Sequence, residues 1–367
     1  MGSELKDTFL SLVRLGIRTS KDAKISKGFN WAQLKALADK QGLSAVVLDA
    51  LNTDGTNITD GMPLDFKLEW IGEVLQNYEG VYPAYKKAIG SLAGFYNAHG
   101  FKMMVLKGYA CSLDWPKPEH RPCGDIDVWL FGQQKEADKA LLNSSRFGEL
   151  ENNVNIDTGE HHHTVFYWQD FMVENHFDFI NVHHHKSHAE YERVLKDLGK
   201  DDNHYTEVNG ERVFLPSPNL HALFLFKHLL LHFATGEITL RQVLDWAFFV
   251  KTHGSNVDWK FVEDVLEKHG MMLMFNIINA ICVVDLGFKV DIIPRVQFDT
   301  SLKDRVIEDI FNPKFAGEMP KNVLKRVIWK WRRWKANEWK HKLCYKESMW
   351  SAFWSGVCGH LLKPASI

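Results

Sequence analysis

The sequence predicts an α+β protein in which a small mixed β-sheet core lies between a helical amino-terminal lobe and a helical carboxy-terminal domain. Three observations predict this class. Apolar residues recur every three or four positions before residue 98, short β-branched and aromatic runs follow, and helical spacing returns after residue 215. We therefore expect three units, at residues 1–98, 99–214 and 215–367.

The helical units are defined by periodicity and by their breaks. In the amino-terminal lobe the spacing is clearest at residues 5–13, 31–37 and 66–75. Residues 52–61 are rich in Asn, Asp, Gly and Thr, which predicts a loop. In the carboxy-terminal domain, Pro218-Asn219 predicts a helix start. Further helices are predicted at residues 257–268 and 271–284.

The middle unit contains four segments with strand character. They are KMMVL at residues 102–106, DIDVWL at 125–130, HHHTVFYW at 161–168 and FMVENHFDF at 171–179. The last two segments are separated by Gln169-Asp170, which predicts a turn between paired strands. Residues 136–142 suit a helix, so helix and strand alternate within this unit.

Composition excludes several classes of protein. With 45% hydrophobic and 25% charged residues, the chain is neither disordered nor fibrous. Its formal net charge of −2 gives no global attraction for nucleic acid. The five cysteines are scattered without a CxxC spacing, which argues against disulfides and a cysteine zinc site. We find no signal peptide or transmembrane span and expect a soluble, cytoplasmic protein.

The motif Gly124-Asp125-Ile126-Asp127 is the strongest candidate for chemistry. Side chains alternate along a strand, so Asp125 and Asp127 should point to one side while Ile126 is buried on the other. Two carboxylates this close raise each other's pKa unless a cation lies between them. The pair therefore predicts a Mg²⁺ site. Gly124 would allow close approach to the backbone.

A third carboxylate is needed if two cations bind, because two aspartates leave the second ion short of ligands. Glu174 lies mid-strand in MVENHFDF and is the best candidate, with Asp178 in reserve. His176 shares the face of Glu174 and would orient a phosphate or a metal-bound water. One sheet face would then present all three carboxylates.

Basic groups flank the aspartates. Lys107 and Gly108 lie at a predicted strand-to-helix turn, where backbone N–H groups can meet a phosphate and the lysine can add charge. Arg121 lies four residues before Asp125 and could fork onto a phosphate or a site carboxylate. Each of these residues could also be an ordinary surface charge.

The segment LKGYACSLDWPKPEHRPCGDIDVWL resembles a poorly characterised bacterial nucleotidyltransferase family within the polymerase-β-like nucleotidyltransferase superfamily. The shared features are LKG followed by R-x-x-G-D-I-D. An E-x-H strand at residues 174–176, LPSP at 215–218 and LRQVLD at 240–245 extend the similarity. It covers most of residues 25–260.

The resemblance implies that a nucleotidyl group moves from a nucleoside triphosphate to an acceptor hydroxyl as pyrophosphate leaves. Asp125, Asp127 and Glu174 would hold two Mg²⁺ ions, with Mn²⁺ as an alternative, and Glu174 would activate the acceptor. Lys107-Gly108 would contact the phosphates, although the superfamily usually has Gly-Ser there. The acceptor, whether a small molecule, a sugar, a protein or tRNA, is not specified. A non-catalytic nucleotide-binding protein on the same scaffold is the first alternative.

The histidines suggest a second alternative, a zinc hydrolase. His161, His162 and His163 are adjacent, as are His183, His184 and His185. Adjacent residues alternate across a strand and should not all face one ion, and no HExxH motif is present, so we disfavour zinc. We expect the second run to lie on an exposed loop.

The carboxy-terminal domain supplies further candidates for the nucleotide cleft. His228 and His232 lie four residues apart on one helix face, with His221 on the same stripe. These rings face either the cleft or the core. Arg241 and Asp245 have the spacing of a helix ion pair and are weaker candidates.

Residues 321–346 carry ten Lys or Arg and one acid, interleaved with aromatics. This tail could contact an anionic partner such as lipid or RNA. Val323, Val327, Ile328 and Trp331 recur at helical steps, so we expect this face to dock on other helices.

Overall fold

A computed structural model shows how these segments are arranged. It describes residues 2–25, 30–52, 61–146, 150, 154–159, 162–182, 185, 187–236, 238–296, 299–314 and 320–351. Within these ranges, six strands form one mixed sheet, with helices before, within and after it. The predicted α+β class, with helices at both ends, is confirmed.

The sheet is built from parallel and antiparallel pairs. Its strands are β1 (Met104–Val105), β2 (Asp125–Trp129), β3 (His163–Trp168), β4 (Phe171–His176), β5 (Tyr205–Val208) and β6 (Glu211–Phe214). The spatial order is β3-β4-β2-β1-β6-β5. β2 pairs in parallel with β4 and β1 with β6, whereas the other neighbours are antiparallel. The predicted 161–179 hairpin is β3–β4.

The hairpin formed by β5 and β6 was not predicted. Its turn is Asn209-Gly210, with φ of +51° and +84°. Asn-Gly is favoured in such two-residue turns because both positions need positive φ. The strand predicted at residues 102–106 is shorter than expected, since only Met104–Val105 pairs with its neighbours.

The helices that precede the sheet are α1 (Ser3–Gly16), α2 (Trp31–Gln41), α3 (Ser44–Leu51), α4 (Leu64–Val74) and α5 (Val81–Ala98). A π-helical turn, Leu75–Glu79, separates α4 from α5. Asn30 caps α2 by accepting the backbone N–H of Gln33. Residues 53–60, most of the predicted 52–61 loop, lie outside the described residues.

Helices within the sheet unit are α6 (Tyr109–Ser112), α7 (Gln134–Arg146) and α8 (His188–Leu198). Those that follow it are α9 (Pro218–Thr235), α10 (Leu240–His253), α11 (Trp259–Lys268), α12 (Met272–Val284), α13 (Thr300–Phe311), α14 (Val323–Ala336) and α15 (Glu338–Cys344). Pro218 begins α9 as predicted. Thr239 and Gln242 form a capping box at the start of α10.

The two faces of the sheet contact different helices. Ile126 and Val128 are fully buried in a cluster with apolar residues of α5 and α7. Trp129, on the other face, joins a larger cluster that includes residues of α1–α4, α8–α13 and α15. Burial of each large apolar side chain stabilises the fold by about 1.5–3 kcal/mol. The strand is therefore held rigidly, with Asp125 and Asp127 directed toward the carboxy-terminal helices.

Helix α14 differs from the expectation that its apolar face packs inward. Ile328 and Trp331 are each 56% exposed, and the side chains of Val323 and Val327 lie outside the described residues. Within the same helix, Arg333 and Lys335 lie over the rings of Trp329 and Trp331. No helix in the described ranges is long and apolar enough to span a bilayer.

Candidate active site

The predicted carboxylates line one cavity between the sheet and helices α9 and α10. The cavity has a volume of about 460 Å³, within the usual range for small-molecule sites. Asp125, Asp127 and Glu174 all line it. β2 and β4 are parallel neighbours, and Asp127 lies directly opposite Glu174 in their register. The sheet therefore brings the predicted third carboxylate to the aspartate pair.

Asp127 is the most buried of the three carboxylates, with 1% of its surface exposed. Lys107 Nζ lies 2.6 Å from Oδ1, and His176 Nε2 lies 3.1 Å from the same oxygen. Oδ2 is buried and has no hydrogen-bond partner among the described residues. Burial opposes ionisation, but Lys107 and His176 hold the pKa of Asp127 well below its usual range. One oxygen of an ionised carboxylate is therefore unused.

Glu174 and His176 lie side by side at the end of β4. His176 Nε2 is 3.5 Å from Glu174 Oε2. On the other side of the ring, Nδ1 lies 3.1 Å from the backbone oxygen of Asp178 and must donate to it. The side chain of Asp178, the reserve candidate, forms an ion pair with Lys196. Asp178 is thus engaged outside the cavity.

Asp125 is less constrained than Asp127. Burial and the charge of Asp127 raise its pKa, and Lys107 opposes this rise. Its backbone oxygen accepts a 2.7 Å hydrogen bond from Tyr85 Oη, which fixes the start of β2. An added Cβ at Gly124 would meet no atom within 4 Å, so the backbone here is open to a ligand.

The Lys107-Gly108 turn has a more local role in this structure than the sequence suggested. Gly108 has a φ of +48°, and a Cβ there would lie 2.5 Å from Tyr85 Oη, so only glycine fits. The helix that follows, α6, is only four residues long and gives little dipole. Lys107 is paired with Asp127, whose charge keeps the lysine pKa above its usual value despite burial.

Arg121 is engaged by Asp245 of α10. Its Nε and Nη2 donate to the two carboxylate oxygens at 2.8 and 2.9 Å. Trp115 Nε1 donates to the same carboxylate at 2.9 Å. The expected helix pair of Asp245 with Arg241 is therefore wrong, because the aspartate faces the loop before β2. This buried bidentate ion pair connects the loop before β2, the strand that carries the aspartates, to α10.

Helix α9 directs two of its three predicted histidines into the cavity. His228 and His232 line it, with ring centroids 4.4 Å apart, and Arg241 of α10 lies nearby. Burial and the positive charge of Lys107 lower the pKa of His228 well below its usual value. His221 is in the core instead, where its Nε2 lies 3.9 Å from Cys111 Sγ.

Sequence reasoning missed a convergence of histidines in the same cavity. His162 and His163 both approach His176, and one nitrogen from each of the three rings lies within 4.8 Å of the others. We expected adjacent histidines to face opposite sides of a strand, and for His162 and His163 this is wrong. The carbonyl oxygen of His162 accepts two backbone N–H groups, those of Phe177 and Asp178, so regular pairing ends before β3 begins. Burial lowers the pKa of His162 to about 2. His161 lies outside the described residues.

The second histidine run also differs from its prediction. His185 is only 7% exposed rather than on an exposed loop. Its ring stacks on Tyr345 of the carboxy-terminal region at a centroid distance of 4.1 Å. His183 and His184 lie outside the described residues.

These donors fit a divalent cation. Asp127, Glu174 and His176 each offer one atom within 4.8 Å of the others. The buried, unpartnered Oδ2 of Asp127 adds an oxygen that only a cation or a donor would satisfy. When no cation is bound, Lys107 provides the positive charge that this carboxylate cluster requires.

A family model described as an uncharacterised nucleotidyltransferase matches residues 27–283. No curated protein and no solved structure matches the chain significantly. The matched region covers the sheet, the cavity and helices α9 and α10.

Proposed function

The chain belongs to the uncharacterised nucleotidyltransferase family, and from this premise we propose that it transfers a nucleoside monophosphate group from a nucleoside triphosphate to an acceptor hydroxyl. One observation carries the proposal. Asp127 and Glu174 lie opposite each other on parallel strands, in a cavity large enough for a small molecule, with a buried carboxylate oxygen unpartnered.

Asp125, Asp127 and Glu174 would hold two Mg²⁺ ions, or Mn²⁺ in their place. Bound there, these ions neutralise charge on the triphosphate and lower the pKa of the attacking hydroxyl. The acceptor oxygen forms a bond to the α-phosphorus as the bond to the β-phosphate oxygen breaks. Pyrophosphate leaves, and Glu174 accepts the hydroxyl proton. No covalent enzyme intermediate is needed.

Lys107 links the empty and the ligand-bound states of this mechanism. Without a cation its ammonium satisfies Asp127 at 2.6 Å. With a cation held by the carboxylates, Lys107 would no longer be needed to neutralise Asp127, and its ammonium would contact the β- and γ-phosphates. His228, His232 and Arg241 line the opposite wall and would contact the nucleotide or the acceptor. Arg121 would act through Asp245 as a positioning residue.

The test is incubation of the purified protein with each α-labelled nucleoside triphosphate and Mg²⁺. The protein is first tested alone, to detect self-modification, and then with cell extract, followed by mass spectrometry of labelled products. Asp127→Asn should abolish label transfer, whereas Asp197→Asn, an exposed control at 73% side-chain exposure, should not. Nucleotide binding without any transfer would instead identify a non-catalytic nucleotide-binding protein.

We also propose that α14 contacts an anionic lipid surface. The helix contains six Lys or Arg residues and no acid. Trp331 is 56% exposed on it. A basic helix with exposed tryptophan suits the charged interface of a bilayer.

A further inference from the structure

We propose that His162, His163 and His176, together with Glu174, form a binding position for a zinc-class transition metal within the cavity. This position overlaps the one formed by Asp127, Glu174 and His176, since both use Glu174 and His176. The proposal concerns metal binding alone. It does not require nucleotidyl transfer.

The spacing of the donor atoms supports a four-coordinate ion. His163 Nδ1 lies 3.2 Å from His162 Nε2 and 3.8 Å from Glu174 Oε2. His176 Nε2 lies 3.5 Å from the same carboxylate oxygen. Zinc–ligand bonds of about 2.0–2.1 Å in a tetrahedron place neighbouring donors about 3.3 Å apart. The His162–His163 and His176–Glu174 separations, 3.2 and 3.5 Å, are close to this value. The His163–Glu174 separation of 3.8 Å is longer, so these two side chains must approach each other to enclose an ion.

The chemistry of the donors selects the metal. Imidazole nitrogen suits Zn²⁺ and the other borderline first-row cations, whereas Mg²⁺ prefers oxygen ligands and retains water. Three imidazoles and one carboxylate therefore favour a metal of the zinc class. The oxygen-rich side of the cavity, with Asp125 and Asp127, remains suited to Mg²⁺.

The surroundings of His176 have the form expected of a metal ligand. Its Nδ1 donates to the backbone oxygen of Asp178 at 3.1 Å. This bond accounts for the Nδ1 proton and directs Nε2 at Glu174 and Asp127. Without a metal, a proton lies between Nε2 and the carboxylate oxygens, which are 3.1 and 3.5 Å away. A metal bound here would replace that proton on Nε2.

The backbone holds His162 beside the other two rings. Its carbonyl oxygen accepts the backbone N–H groups of Phe177 and Asp178 at 3.0 and 3.1 Å, just beyond the end of β4. Its Nε2 then lies 3.2 Å from His163 Nδ1.

The experiment uses the full chain without a histidine tag, because a tag would bind the probe. Protein freed of metal by a chelator is titrated with Co²⁺, and the visible absorption of four-coordinate Co²⁺ is recorded. We expect one Co²⁺ per chain, displaced by Zn²⁺. His162→Ala and His163→Ala should weaken binding at least tenfold, which is the lower end of the effect of losing even an outer-shell partner.

Matched variants separate this result from the proposed function. His204→Ala removes an exposed histidine outside the cavity and should leave the Co²⁺ spectrum unchanged. Asp125→Asn should abolish nucleotide transfer and still bind Co²⁺. If His163→Ala fails to fold by circular dichroism, His162→Ala decides the question. The proposal would be overturned if the wild type lacked the four-coordinate spectrum, or if both histidine variants bound Co²⁺ with wild-type affinity.

Discussion

The Arg121–Asp245 ion pair offers the sharpest test of how the site is held together. Both side chains are 8% exposed, and two charge-assisted hydrogen bonds of 2.8 and 2.9 Å join them. Asp245→Asn keeps the shape of the side chain and leaves the arginine charge buried without its counter-ion. At an effective dielectric of about 20, unit charges about 4 Å apart attract by about 4 kcal/mol.

We therefore expect Asp245→Asn to lower the free energy of unfolding by about 3–5 kcal/mol, the usual cost of breaking a buried pair. With a urea slope of about 3 kcal/mol/M, the midpoint should fall by about 1 M or more. Urea titration followed by circular dichroism measures this shift. Asp197→Asn, which removes the exposed partner of Lys200, should leave the midpoint unchanged.

A double variant tests the physical reason. Arg121→Met combined with Asp245→Asn removes both charges and keeps an amide oxygen as acceptor for Trp115 Nε1. It should recover most of the lost stability, because no buried charge remains. An unchanged midpoint for Asp245→Asn would refute the reasoning. So would a double variant no more stable than the single one.

Three other predictions follow from local geometry. Gly108→Ala should lower the free energy of unfolding by about 1–3 kcal/mol, because φ is +48° and the new Cβ meets a tyrosine hydroxyl. Thermal unfolding measures this loss. The control is Gly100→Ala, where φ is +79° but no atom lies within 4 Å, so this variant shows the effect of backbone strain without the steric clash. Burial lowers the pKa of His221 to about 3 in the folded protein, whereas the pKa of an unfolded histidine is about 6.5. Between these two values the unfolded chain binds more protons than the folded one, so the protein loses stability as the pH falls from 6.5 toward 3. His221→Leu should flatten that part of the stability curve, and an unchanged curve would contradict the burial argument. Charge reversal at Lys330 and Arg332 should abolish sedimentation with anionic vesicles, and equal binding to neutral vesicles would count against the lipid proposal.

Local sequence signals were sufficient for the strand that carries the aspartates. DIDVWL alternates polar and apolar residues, and Ile126 and Val128 are fully buried, as the pattern requires. The helix start at Pro218 followed from its fixed φ. By contrast, the Asn209-Gly210 hairpin was missed although its turn signal was present.

Long-range features could not be read from the sequence. The pairing of Arg121 with Asp245 joins residues 124 positions apart, and helix spacing pointed to Arg241 instead. His162 and His163 converge because β3 begins between them, and strand boundaries are uncertain by a residue or more. Lys107 contacts Asp127 because this carboxylate is the anion that the fold brings closest to its ammonium group. The sequence does not show which anion that is.

Nucleotidyl transfer by this protein requires that Asp125, Asp127 and Glu174 bind divalent cations next to a nucleoside triphosphate. Anomalous diffraction from crystals soaked with Mn²⁺ and a non-hydrolysable triphosphate tests it most directly. We predict a peak within coordination distance of Asp127 Oδ2 and Glu174, adjoining the α-phosphate. A triphosphate bound elsewhere, or no Mn²⁺ peak beside these carboxylates, would contradict the account.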